Sequence, residues 1–266
     1  MKYRLLAAAL VAVFAVTQAC AQAPDRLQRI LAAGVLRVGT TMDTPVFSMR
    51  NADGRLEGID IDLLETLGPA LGVRIEFVKM NFGSMLSDLA ADKFDVAMSG
   101  MGRTYERARV ATFSRPYMRY GKLMVIRAGD RGRFASLSDL DRPGMRIAYN
   151  QGGLNDRFAN TMFKQATPVG YASNELATAD LLASKVDAQV ADSTAAIYLE
   201  RQNPRLHAMA KYQVFNPIHV AILLNRGDQT LLNFLNIWID QLELDGTLAK
   251  VRAKWLGDTN EPTSGR

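Results

Sequence analysis

From residue 24 onward, short apolar runs alternate with amphipathic stretches, and this alternation predicts strands and helices in turn. A short helix capped by Asp25 and ended by Gly34 precedes a first strand over 35–39. Next come a helix over 61–71 closed by Gly72, a strand over 73–80, a helix over 85–91 and a buried strand over 94–98. A turn region over 100–107 leads to a strand over 122–127. The pattern then restarts, with a strand over 145–149 and helices over 154–164 and 175–184. A long helix over 229–244 and a second piece after Gly246 follow. Residues 258–266 are polar with Gly and Pro and read as a disordered tail. Such alternation argues for an α/β protein with mostly parallel strands.

The restart is visible in the residues themselves. Leu89, Ala91, Lys93 and Asp95 recur as Leu181, Ala183, Lys185 and Asp187 at a constant offset of 92 residues. Each Lys-apolar-Asp unit launches a short buried strand, one delivering Ser99 and Gly100, the other Ala191 and Asp192. Two similar α/β units are expected to turn the carboxyl ends of their strands toward a shared crevice, where open α/β sheets bind ligands. The expected division is lobe 1 over 24–124 plus 220–257 and lobe 2 over 125–219, joined by two crossing strands.

The segment before residue 24 alters this picture by removing itself from the fold. Lys2 and Arg4 precede an apolar run over 5–16, too short to span a bilayer of about 30 Å. Small residues follow at Ala19, Ala21 and Ala23. Residues 1–23 therefore read as a secretory signal peptide, and the mature protein as periplasmic. Cleavage after Ala21 or Ala23 is expected over lipidation at Cys20, because Thr17 stands where a lipoprotein signal wants a Leu-like residue. Cys20 is the only cysteine of the 266 residues, so no disulfide is expected and the core must supply the stability.

The formal net charge of +5 includes two charges from Lys2 and Arg4. The remaining basic residues are scattered, without the clustered patch of a nucleic-acid surface. His207 and His219 stand apart with no cysteine near, so neither a metal site nor a cofactor is expected. Gly100 and Gly102 lack the trailing glycine and lysine of a phosphate-binding loop. On position alone, Asp192 would cap the helix after it and Arg107 would pair at the surface with Glu106 or a nearby acid.

Five motifs occur in order: Arg37-Val-Gly-Thr40, Gly58-Ile-Asp-Ile-Asp-Leu63, Phe94-Asp-Val-Ala-Met-Ser-Gly100, Thr104-Tyr-Glu-Arg107 and Phe113-Ser-Arg-Pro-Tyr117. Together they resemble the extracellular solute-binding proteins that serve polar-amino-acid ABC transporters. The resemblance covers about residues 26–257 and implies a two-lobed, type II periplasmic-binding fold that closes on a small ligand. It further implies a monomer that delivers its ligand to an ABC transporter membrane component. In that family the arginine matched by Arg107 forks onto the ligand carboxylate. Gly100 and Gly102 match positions that offer a backbone carbonyl and N–H, within a loop that also holds Ser99 and Thr104. Asp192 matches the aspartate that holds the ligand ammonium. Gly152, Gly153 and Leu154 match the second-lobe carboxylate turn at a helix start, and Phe82 and Thr44 the wall around the ligand side chain.

The departures narrow what the resemblance implies. Leu154 stands where relatives carry a threonine, Gly102 where Ser or Thr is common, and Thr44 where an aromatic lid is frequent. Arg103, at a usually apolar position, is expected to point into solvent. The wording of 25–41 and 100–122 is particularly similar to the periplasmic cyclohexadienyl dehydratases, enzymes on the same fold that act on prephenate and arogenate. There a glutamate three residues after the second-lobe aspartate serves as proton donor; here that position is Ala195, which cannot donate a proton. The expectation is therefore a receptor for an amino acid or similar small carboxylate, with dehydratase activity as the alternative.

Overall fold

A computed structural model describes residues 24–209 and 214–257. The expected signal peptide with Cys20 and the expected tail over 258–266 lie outside the described residues.

Asp25 starts the first helix, Arg26–Ala33, with a capping box. Its carboxylate accepts from Gln28 N and Gln28 Oε1 accepts from Asp25 N, satisfying donors that a helix start leaves free. The strand Val35–Thr40 follows and becomes the hub of the first sheet. It runs parallel to Arg74–Lys79 on one side and to Val96–Ala97 on the other. Leu223–Leu224, arriving from far along the chain, pairs antiparallel to Val96–Ala97 and then to Thr112–Phe113. A small antiparallel sheet of Asp43–Thr44, Ser48–Arg50 and Leu56–Glu57 sits above it. The sequence pattern did not predict these strands, two of which have only two residues.

The second sheet repeats the plan. Arg146–Asn150 is parallel to Thr167–Tyr171 and to Ala188–Asp192, and Ala188–Asp192 is antiparallel to Met118–Arg127. Leu206–Ala208 and Phe215–Val220 complete it along Met118–Arg127. That strand starts four residues earlier than the pattern predicts and is continuous, so position 124/125 falls within it. Each sheet is covered on both faces. Helix Ile59–Leu71 and the C-terminal helices Gln229–Leu244 and Thr247–Leu256 bury one face of the first through Leu63, Leu67, Leu235 and Ile239. Met85, Leu89 and Phe94 fill the other. Phe158 and Leu140 cover one face of the second sheet, and Ala177, Leu181 and Ala196 the opposite one.

The echo in the sequence is an echo in space. Asp95 N donates to Arg37 O at 2.9 Å, and its carboxylate accepts from Arg37 N. Asp187 N likewise donates to Arg146 O at 2.8 Å, and its carboxylate accepts from Arg146 N. Lys93 pairs with Asp88 and Lys185 with Asp180 in matching turns. The residues that recur at a constant offset stitch each third strand to the first strand of its sheet.

Candidate functional site

The two sheets present the ends of their parallel strands to each other, and the loops there meet across a cleft. Thr104 caps the short helix Tyr105–Ala108, its hydroxyl accepting from Arg107 N at 3.2 Å. The helix turns Arg107 inward, where it is 8% exposed. Its Nη1 donates to Gly102 O at 2.9 Å, its one side-chain hydrogen bond among the described residues. Burial pulls its pKa below the ordinary arginine value. Arg107 is therefore no surface partner of Glu106, which pairs with Arg157 of the other lobe at 2.8 Å. Arg103 is exposed, as expected.

Gly100 takes φ +64°, and a Cβ there would come within 2.7 Å of the Phe47 ring, so only glycine fits. Its N–H donates to the buried Asp60 carboxylate at 2.7 Å, and its carbonyl accepts from Tyr120 Oη at 3.1 Å. Asp60 also accepts from Tyr117 Oη at 2.6 Å, and burial raises its pKa to about 7 against these two bonds. Gly102 faces Val220 in an isolated bridge in which Ala221 N donates to Met101 O and Arg103 N to His219 O, leaving the Gly102 N–H outside that ladder. Ser99 lies beneath the loop in a buried hydroxyl cluster: its Oγ is 2.9 Å from Thr41 Oγ1 and 2.8 Å from Ser48 Oγ, and Thr44 Oγ1 is 2.7 Å from Thr41 Oγ1.

Asp192 occupies the N-cap position of helix Ser193–Gln202, but its side chain makes no cap bond. It turns instead to Lys122, directly opposite in the antiparallel register, and forms a buried ion pair. Lys122 Nζ also donates to Asn155 Oδ1 at 2.6 Å and lies 5.0 Å from the Tyr120 ring centroid. Desolvation pulls the lysine down from its usual pKa and the Asp192 carboxylate pushes it back up. Sequence reasoning missed Lys122 because it opens the apolar run Leu123–Ile126; a lone lysine in an otherwise buried strand was the available signal.

The lobes touch at several points around this centre. Gly152, at φ +80°, meets Gly83 so closely that a Cβ would lie 2.7 Å from Gly83 N. A Cβ on Gly153 would lie 3.3 Å from the Phe82 ring, and one on Gly102 2.7 Å from Leu154 Cδ1. Asn174 donates to Asp43 O and Oδ2 at 3.4 Å. The remaining cavity is lined by Thr44, Pro45 and Phe82 from lobe 1, and from lobe 2 by Asn150, Asn155, Asn174, Gln189, Ala191, Asp192, Ala195 and Leu199. Of the residues expected at the site, Thr44, Phe82 and Asp192 reach this cavity. Arg107, Ser99, Gly100, Gly102, Thr104, Gly152, Gly153 and Leu154 form the closed interface and loop beside it. Leu154 brings no hydroxyl to the turn, and Ala195 is buried without a polar atom. Among the described residues no His/Cys/Asp/Glu cluster could hold a metal, and no helix is long and apolar enough to cross a membrane.

Two α/β lobes of matching topology around a cleft with a buried arginine define a type II periplasmic-binding fold. The chain belongs to the bacterial extracellular solute-binding proteins, family 3, whose family model matches residues 36–258. It is 34% identical over 255 residues to the cyclohexadienyl dehydratase of Pseudomonas aeruginosa, covering 96% of this chain and 95% of that protein. It is 29% identical over 236 residues to the L-arginine-binding protein of the same organism, covering 83% and 87%. The crystal structure of an ancestral amino acid-binding protein, a precursor of cyclohexadienyl dehydratase, superposes with a TM-score of 0.82 at 32% identity, covering 86% of this chain and 99% of that one. The chain's relatives thus include both binding proteins and an enzyme.

Proposed function

We propose that this protein is a periplasmic receptor that holds a small carboxylate on Arg107, closes its lobes around it and hands it to an ABC transporter. Arg107 carries the reading. A buried guanidinium bonded to a single backbone carbonyl retains donors that an anion in the cleft can satisfy, and its planar fork suits a carboxylate. The free Gly102 N–H and the helix start at Gly153 lie on the two lobes beside it, so a ligand touching both favours the closed form. The resemblance assigned Asp192 to a ligand ammonium. With Lys122 already on that carboxylate, the inner charges are two cations against one anion, which favours a carboxylate over a zwitterion.

A dehydratase reading follows from the 34% identical enzyme. Losing water and CO₂ from a prephenate-like ring needs a proton donor at the leaving hydroxyl. Ala195 stands at that position, and Asp192, the one acid lining the cavity among the described residues, is ion-paired. Incubation with prephenate, followed by phenylpyruvate absorbance, tests the choice. A receptor returns the ligand unchanged; efficient turnover would overturn the receptor reading.

A further inference from the structure

Beneath Asp192 a chain of amides has its direction fixed by Lys122. An ammonium carries only donors, so the Asn155 group it meets at 2.6 Å is the carbonyl oxygen Oδ1. Asn155 then turns Nδ2 toward Asn150 and donates to Oδ1 at 2.7 Å. Asn150 is left presenting its own Nδ2. That group has no protein partner among the described residues, although Asn150 is only 6% exposed and lines the cavity. Gln189 is oriented by the Asn174 carbonyl, which can only accept. Its Nε2 donates to Asn174 O at 3.5 Å, and its Oε1 lies 2.9 Å from Thr178 Oγ1, a hydroxyl also 3.0 Å from Asn174 O. Two nearly buried amides, fixed independently, thus point donors into one space. Asp192, the only carboxylate lining that space among the described residues, is already paired with Lys122.

Asn150 Nδ2, without a protein partner, and the weakly bonded Gln189 Nε2 suit an acceptor that arrives with the ligand. Phe82, Pro45, Ala191 and Ala195 offer an apolar surround for carbon atoms on the way. We infer that this cavity is a second recognition pocket, which takes an acceptor group (a second carboxylate or a keto oxygen) at the end of the ligand remote from Arg107. This rests on the reading of the cleft as a carboxylate receptor. The ligand class becomes dicarboxylates and oxo-acids, and a distal ammonium is rejected because it would face N–H groups and the Lys122 charge.

The test titrates the full mature chain with four probes of similar length: glutarate, 4-oxopentanoate, pentanoate and 5-aminopentanoate. Glutarate and 4-oxopentanoate are expected to bind at least about tenfold tighter than pentanoate, with 5-aminopentanoate weakest. Asn150→Asp, which replaces the free donors with an anion, is expected to lower glutarate affinity at least about tenfold while pentanoate changes less than about twofold. Equal affinities for the four probes, or 5-aminopentanoate binding as well as glutarate, overturn the pocket. An unchanged glutarate preference in folded Asn150→Asp also overturns it, and if that variant fails to fold the wild-type ranking still decides. Arg107-dependent binding of pentanoate with no preference among the probes sinks this inference alone. Failure of all four to bind sinks the carboxylate reading with it.

Discussion

Lys122 and Asp192 face each other across two antiparallel strands and form a buried ion pair, their side chains 5% and 12% exposed. The pair occupies the position that the resemblance gave to a ligand ammonium, so the protein supplies its own cation there. Removing one partner of such a pair strands the other charge out of water, which costs about 3–5 kcal/mol. Lys122→Met is expected to lower the unfolding free energy in urea by about 3 kcal/mol. Adding Asp192→Asn to it should recover most of the loss. A neutral single variant would contradict the pairing.

Asp60 gives the protein a pH dependence of definite sign. Burial raises its folded pKa to about 7, while an unfolded aspartate titrates near about 4. Between these values the folded state holds a proton that the unfolded state has released, so this group's stabilisation is full below about pH 4 and is lost as pH rises toward 7. That displacement corresponds to about 4 kcal/mol. Wild type minus Asp60→Asn, measured by urea unfolding from pH 4.5 to 8, should show stability falling with pH and levelling above 7. A flat difference would refute the assignment.

The contact between Gly83 and Gly152 predicts an asymmetric pair of variants. A Cβ on Gly152 would strike the Gly83 backbone at 2.7 and 2.8 Å, whereas one on Gly83 meets nothing nearer than 3.5 Å. Gly152→Ala should weaken ligand binding at least about tenfold and hold the lobes apart, read by calorimetry and by the ligand-induced fall in radius of gyration. Gly83→Ala should bind like wild type. Equal behaviour of the two would remove the contact from the account of closure.

Glu106 and Arg157 join the lobes at an exposed rim, each side chain 55% exposed. Exposed pairs contribute little and are screened by salt. Arg157→Ala should therefore weaken ligand binding by no more than about fivefold at low ionic strength, with the difference vanishing at high salt. A large, salt-independent loss would mean that Arg157 touches the ligand.

Much of this architecture was legible in the sequence, and for a physical reason. Lys93, Asp95, Lys185 and Asp187 recur because each must close a helix and tie a strand to its neighbour, so a structural duty repeated twice leaves a repeated spelling. The helix over 229–244 was legible because its apolar stripe faces one large core. Arg107 was found through its motif, and its burial removes the surface pairing that position alone suggested. Lys122, Asn150 and Asn155 were not found. Their proximity arises from strand register and lobe packing, which no local pattern encodes, and an asparagine in a strand carries no period of its own. The strands around Asp43–Thr44 and Leu56–Glu57 escaped because two residues cannot display an alternation.

Arg107 is assigned the ligand carboxylate inside a closing cleft. Thermal unfolding of wild type and Arg107→Ala across a panel of amino acids, small mono- and dicarboxylates and prephenate tests this assignment most directly. Wild type should be stabilised by a restricted set of carboxylates, and Arg107→Ala should lose every one of those shifts while retaining a cooperative transition. Shifts that survive unchanged in Arg107→Ala would show that the ligand carboxylate is held elsewhere.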